Sequence, residues 1–448
     1  MPYPYFSLLV FLLCYAAFAA LPTRRSWVAV AGAAALVLSG SLAAGAEPWP
    51  ARVGEGFRAA FAGRGGAEPL VNWNVMGLFA GMLVLAELFL RSRAPEVIAE
   101  RLLAGFSSAR AAMVALCALA GVISIAVENV AVVLLLAPIA LSVADRLRIR
   151  PAPLLIGLAI CSNVQGTATM IGDPPSMILA GAMKMDFGDF FVYRGRPGIF
   201  FAVQAGAAAS LAVLWFVFRR YRGAFRLESR TQALSWTPTA LLALLIVGLS
   251  LSSWVDPDFR WFAGTLTLAA GAAGLAWNAL RARWLPTGRL LRGLDWDTAA
   301  FLAGVFVLVG GLSGSGWLER LAAALARLSG GSLAVAFAAV VALSVVVSGF
   351  VDNVPFLLAM IPVVRDMAAQ LPPGAGRHPL EALLFGLLVG ACMGGNLTPV
   401  GASANVTALG ILRRRGDAAS FGEFMRITLP FTAAAVAASA LFVWLVWA

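Results

Sequence analysis

The chain has 448 residues, of which 61% are hydrophobic and only 12% charged, and its mean hydropathy is +0.87. A soluble chain of this length would need far more charge to cover its surface, so composition places it among polytopic membrane proteins. The net charge of +11 is not a nucleic-acid signal: the arginines sit in short clusters between apolar spans, with no basic face carrying interleaved aromatics.

In chain order, windows long enough for a full crossing lie at about 5–20, 27–45, 73–90, 198–218, 236–253, 261–280, 296–316 and 424–447. The first is read as a span and not a secretory signal, because no basic residue precedes its apolar core. Arg24 and Arg25 follow it as an inward loop. Residues 111–144 are too many for one crossing and too few for two with a turn, so a re-entrant hairpin with Glu128-Asn129 near its tip fits. Residues 332–364 repeat the pattern with Asp352-Asn353. Two further apolar stretches, 152–182 and 380–412, are broken at their centres by Gly and polar residues. Pro174-Pro175 cannot continue a helix, and such a break in lipid must be packed in protein or line a cavity.

Loop charge agrees with this layout. With both termini outside the plasma (inner) membrane, the inward loops hold 22 of the 33 Lys/Arg residues, provided that the first hairpin opens and closes on the inside. Trp73-Asn74 with Gly81 matches Trp296-Asp297 with Gly304, so the repeat extends beyond the hairpins. The expected organisation is an all-α polytopic protein of two inverted repeats, 1–222 and 236–448, joined by a basic cytoplasmic linker at 223–235.

Acids and amides at membrane depth are functional hypotheses by default. Glu128, Asp352 and Asp173 are the candidates for proton coupling. The breaks add Thr167, Thr169, Gly172 and Ser176 in the first half, and Asn396, Thr398, Gly401, Ser403 and Asn405 in the second. Neutral oxygens suit Na⁺ or a hydrogen-bonding oxy-species, not a soft metal. The scattered Cys14, Cys117, Cys161 and Cys392, and the single His378 in a Pro/Gly-rich loop, offer no metal cluster or hydrolytic triad. No cofactor and no enzymatic activity are expected.

On Glu128-Asn129 with its run to Pro138, the Gly166–Pro175 string, Asp352-Asn353-Val354-Pro355 and Gly401-Ala402-Ser403-Ala404-Asn405, the whole chain resembles the ion-transporter superfamily. It looks most like the arsenite-pump and sodium–proton-antiporter branch, related to the divalent anion/sodium symporters. The resemblance implies a homodimer with scaffold and transport domains, an elevator mechanism, and a sodium site at Asn129 and Asn353 with the adjoining broken-helix residues. Acids stand where the sodium–dicarboxylate relatives carry serine, and valines where they carry threonine. That favours a proton-coupled exporter of a small inorganic species such as arsenite, held in an acid-lined site without arginine or lysine. Na⁺/H⁺ antiport and sodium- or proton-coupled carboxylate or anion transport are the alternatives. The expected partners are the bilayer and a small ion or metalloid, with a partner ATPase left open.

Overall fold

Proline, glycine and capping side chains mark where several helices of this chain begin or break. The computed structural model describes residues 3–21, 24–42, 49–63, 68–221, 223–225 and 231–448. Part of the expected inward loop (residues 22 and 23), Arg222 and residues 226–230 of the linker therefore lie outside the described residues.

The first half contains α1 (Tyr3–Ala20), α2 (Arg25–Leu38), α3 (Trp49–Phe61), α4 (Trp73–Arg91), α5 (Ala94–Ala104), α6 (Ala109–Ser124), α7 (Asn129–Leu147), α8 (Ala152–Gly166), α9 (Pro174–Met183) and α10 (Ile199–Val217). A two-residue ribbon, β1 (Val192–Tyr193) with β2 (Arg196–Pro197), precedes α10. The second half contains α11 (Thr237–Ser250), α12 (Ser252–Val255), α13 (Phe262–Trp277), α14 (Thr287–Arg292), α15 (Trp296–Ser313), α16 (Trp317–Leu328), α17 (Leu333–Ser348), α18 (Asn353–Ala369), α19 (Pro379–Gly394), α20 (Ser403–Arg414) and α21 (Phe421–Trp447).

Among the described residues, α4, α7, α10, α15 and α21 are long and apolar enough to cross a bilayer. Side-chain caps fix several starts: Asn72 accepts the Val75 N–H, and Asp295 the Thr298 N–H at 3.0 Å. The four polar strings coincide with helix interruptions at 125–128, 167–173, 349–352 and 395–402. Pro174 and Pro175 open α9, where the missing proline N–H costs nothing. Two details differ from the sequence reading. Helix α7 is longer than a half-crossing because it runs on through its polar end at Asp145-Arg146. The helices α3 and α16 occupy stretches in which no span was expected. Each buries only a narrow stripe, such as Leu318 and Ala322 in α16, so neither carries a continuous apolar window.

Packing inside one half is repeated in the other. Helix α6 packs on α8 and α17 on α19; α5 packs on α7 and α16 on α18. Between halves, α2 lies on α15 and α13 on α4, while α10 packs on α21. The matched glycines are the points of closest approach. A Cβ at Gly304 would sit 2.7 Å from the Ala29 backbone, and one at Gly81 2.7 Å from the Leu268 nitrogen.

The breaks are bolted to the hairpin tips in the same way twice. Thr169 donates to the Ile125 carbonyl and Thr398 to the Gly349 carbonyl. Gly172 and Gly401 lie against those tips: a Cβ at Gly172 would stand 2.7 Å from the Ser124 carbonyl oxygen, and one at Gly401 2.7 Å from the Gly349 and Gly395 carbonyl oxygens. Gly401→Ala is therefore expected to overpack a rigid backbone contact and cost about 1–3 kcal/mol. A lower melting temperature in detergent, measured by fluorescence-detected size exclusion, checks this; an unchanged one would show that the tip yields.

Candidate functional site

The two hairpin tips and the two breaks converge on one polar region. Four helix N-termini begin there: α7 at Asn129, α9 at Pro174, α18 at Asn353 and α20 at Ser403. Unpaired N–H groups and the helix dipole make such ends favourable for anions, and the ends of α6, α8, α17 and α19 bring carbonyls to the same place.

The acids are not equivalent. Asp352 caps α18, accepting the Val354 N–H at 3.1 Å, and forms an ion pair with Arg25. The same guanidinium donates to Ser403 Oγ at 3.2 Å and Thr298 Oγ1 at 3.3 Å, and lies 4.9 Å from the Phe301 ring centroid. Arg25 also stands within electrostatic reach of Glu128, Asp295 and Asp297. Beside it, Ser26 donates to Asp297. The expectation of an acid-lined site without arginine or lysine is corrected here. Arg25 opens α2, and a long side chain carries its charge from the apparent loop to the hairpin tip.

Glu128 occupies the corresponding place at the first tip but makes no ion pair among the described residues. It faces Phe79, Met82, Ile171 and Pro174 across a small cavity. Asp173, the N-cap residue of α9, is buried within electrostatic reach of Glu128 and Asp352, with the Asn353 side chain against its carboxylate. Asn129 is buried at the start of α7.

The remaining predicted residues hold the breaks together. Ser176 donates to the Thr167 carbonyl at 3.2 Å, and Thr167 to the Asn163 carbonyl at 3.3 Å. Asn405 donates to the carbonyls of Gly395 and Thr398 at 3.0 and 3.1 Å, and Asn396 to that of Ile160 at 3.3 Å. Both amides also accept from Asn163 Nδ2, Asn396 at 2.8 Å and Asn405 at 3.3 Å. Their side chains are thus directed to protein partners across the two halves. Thr169, Thr398, Gly172 and Gly401 seat the tips, and Ser403 alone of the second break meets the Arg25 group.

Asn163 was missed by the sequence reading, although an amide four residues before Thr167, beside Ser162 and Gln165 in an apolar stretch, was a usable signal. Among the described residues, its Oδ1 and the Ser124 hydroxyl are buried without a hydrogen-bond partner. Ser124 ends α6 at the first tip, while the Asn163 side chain reaches the second break through Asn396 and Asn405. Asn163→Ala would leave the Asn396 and Asn405 oxygens short of a donor, at about 1–3 kcal/mol for each unsatisfied group. The expected result is a lower melting temperature, with Asn163→Asp failing to restore it because a carboxylate cannot donate.

This helical scaffold, with interrupted helices meeting at a buried charged site, defines a secondary transporter embedded in the membrane. A family model described as Citrate transporter (CitMHS) matches residues 15–390. The chain belongs to that family. It is 31% identical over 385 residues to an uncharacterized transporter of Mycobacterium tuberculosis, covering 84% of this chain and 87% of that one. It is 25% identical over 446 residues to the human P protein, covering 80% of this chain and 52% of that protein. The crystal structure of the Alcanivorax borkumensis YdaH transporter superposes with a TM-score of 0.58, at 15% identity, covering 92% of this chain and 96% of that chain; this likeness concerns the fold. The family is one of transporters, not enzymes.

Proposed function

We propose that the protein is a proton- or sodium-coupled transporter of small carboxylates or related anions, with citrate the first compound to test. The observation that carries this reading is the Arg25 guanidinium bound to Asp352 and Ser403 at the second hairpin tip. A planar cation beside helix N-termini is suited to a carboxylate, which it can grip through two parallel hydrogen bonds. Uncharged arsenous acid would draw little from such a group, so arsenite export gives way to the carboxylate alternative. The family match supports the same choice.

In this reading the halves divide the work. The second tip holds the anion through Arg25, and the first tip holds the coupling ion through Glu128, with Asp173 within electrostatic reach and Asn129 and Ser124 on the same hairpin. The repeated packing of the halves supports inverted repeats; an elevator movement of the hairpins and breaks against α2, α4, α13 and α15, and assembly as a homodimer in the inner membrane, are carried into this reading from the family resemblance alone.

Na⁺/H⁺ antiport is the second reading, favoured by the unpaired Glu128 carboxylate. Purified protein in liposomes with an internal pH dye separates the two. Citrate flux driven by an imposed proton gradient, seen as proton movement, or by an imposed Na⁺ gradient, seen as uptake of labelled citrate, is expected, with no proton movement on adding arsenite or Na⁺ alone. Proton movement with Na⁺ alone and no citrate flux would overturn the carboxylate reading.

A further inference from the structure

The seam between α10 and α21 has two ends, each built from corresponding parts of the two halves: the start of one interrupted helix, the end of one long helix and the start of the other. At one end the chain closes the seam itself. Trp447 is buried, with its ring centroid 5.2 Å from Phe385, 5.6 Å from His378 and 5.8 Å from Tyr193. Arg196 of β2 donates to the Val446 carbonyl at 2.5 Å, and the His378 N–H to the Trp447 carbonyl at 3.1 Å.

At the other end no described residue fills the corresponding space, and a cavity of about 1160 Å³ stands open. Its apolar wall includes Val213, Phe216, Ile427 and Pro430, and its rim carries Arg150, Arg219, Arg220 and Arg426. Arg150 is already balanced, bonded to Asp417 at 2.7 Å and Glu423 at 2.9 Å. Arg219, Arg220 and Arg426 make no ion pair among the described residues; with Arg150 bonded to two carboxylates, the four arginines of the rim leave a surplus of two positive charges. Arg219 and Arg220 close the apolar span that runs from Ile199, which puts them at the boundary between hydrocarbon and headgroups.

Size and chemistry select the occupant. Small-molecule sites measure about 300–1,000 Å³, so inorganic phosphate would use a fraction of this space and none of its apolar wall. A hydrated crevice would have no use for the exposed Phe216. We propose that the open end of the seam binds an anionic phospholipid, its phosphate on Arg219, Arg220 and Arg426 and an acyl chain along Phe216 and Ile427. Basic pockets between membrane helices recognise such headgroups by this combination of charge and depth. This proposal stands apart from the transport reading.

Native mass spectrometry of the full chain, titrated with phosphatidylglycerol, phosphatidylcholine or inorganic phosphate, tests it. Phosphatidylglycerol is expected to bind at least about tenfold more tightly than phosphatidylcholine, since each arginine near an anionic headgroup is worth roughly fivefold. The triple variant R219Q/R220Q/R426Q should lose about tenfold or more for phosphatidylglycerol and little for phosphatidylcholine. A control with charge removed elsewhere, R289Q/R292Q on α14, should bind as the wild type does. Equal binding of the two lipids by the wild type would overturn the proposal without any variant. So would an unchanged triple variant, an equal loss in the control, or displacement of the lipid by millimolar phosphate. The lipid-free melting temperature of the triple variant checks its folding.

Discussion

Arg25→Gln is expected to lower carboxylate uptake into proteoliposomes by about a hundredfold or more, while the variant still inserts and purifies. Truncating one partner of a desolvated charge pair costs about 2–5 kcal/mol, and a hundredfold corresponds to about 2.7 kcal/mol. The Arg25 and Asp352 side chains are each 20% exposed, so the abandoned carboxylate can draw on water and the fold should survive. Arg25→Lys should recover only part of the uptake. A single ammonium cannot reach Asp352, Ser403 and Thr298 together, nor present a fork to a carboxylate. The double variant R25Q/D352N separates stability from transport: it removes both charges and should restore the melting temperature without restoring uptake. Uptake of labelled citrate by Arg25→Gln at the wild-type rate would remove Arg25 from the anion site.

The positions of the breaks were legible in the sequence because glycine, proline and buried acids act locally. Pro174-Pro175 cannot be helical interior wherever they lie, and Asp352 caps whatever helix follows it. The pairing of the halves was visible in Gly81 and Gly304, whose missing side chains mark helix contacts at matched places. Arg25 was hidden for a tertiary reason. An arginine after an apolar span satisfies the topological rule for loop charge whether it faces water or reaches a buried acid, and sequence does not separate those outcomes. The polar strings misled in the opposite direction. Asn396, Asn405 and Ser176 looked like ligands, yet a broken helix packed in protein leaves carbonyls and amides that need partners, and these side chains supply them. Sequence shows that a polar residue is costly at its depth; only the fold shows which neighbour offsets the cost.

Glu128→Gln is expected to abolish ion-driven accumulation while leaving substrate exchange within about threefold of the wild type, a difference of well under 1 kcal/mol. Glu128, Asp173 and Asp352 gather around one arginine, so the protein itself brings more acids than cations to the site. Bringing in a carboxylate adds like charge where screening is weak: at an effective dielectric of about 20, unit charges roughly 4 Å apart interact by about 4 kcal/mol. The anion can therefore settle only with a proton or cation, which makes its entry dependent on the coupling ion. Asp352 is already engaged by Arg25 and the Val354 N–H, and Asp173 by Asn353. Glu128, within reach of the Val130 and Ala131 N–H groups but without an ion pair among the described residues, is the carboxylate assigned to receive that ion. A glutamine there is permanently neutral, so the anion would bind without a companion, and exchange of labelled for unlabelled substrate would continue with no dependence on the gradient. Asp352→Asn should behave differently, because it frees Arg25 and leaves Glu128 intact: gradient dependence stays while the apparent affinity for the anion changes. Counterflow and gradient-driven uptake, measured side by side on the two variants, distinguish these outcomes. Full accumulation by Glu128→Gln under an imposed proton or sodium gradient would transfer the coupling role to another group, with Asp173 the next to test.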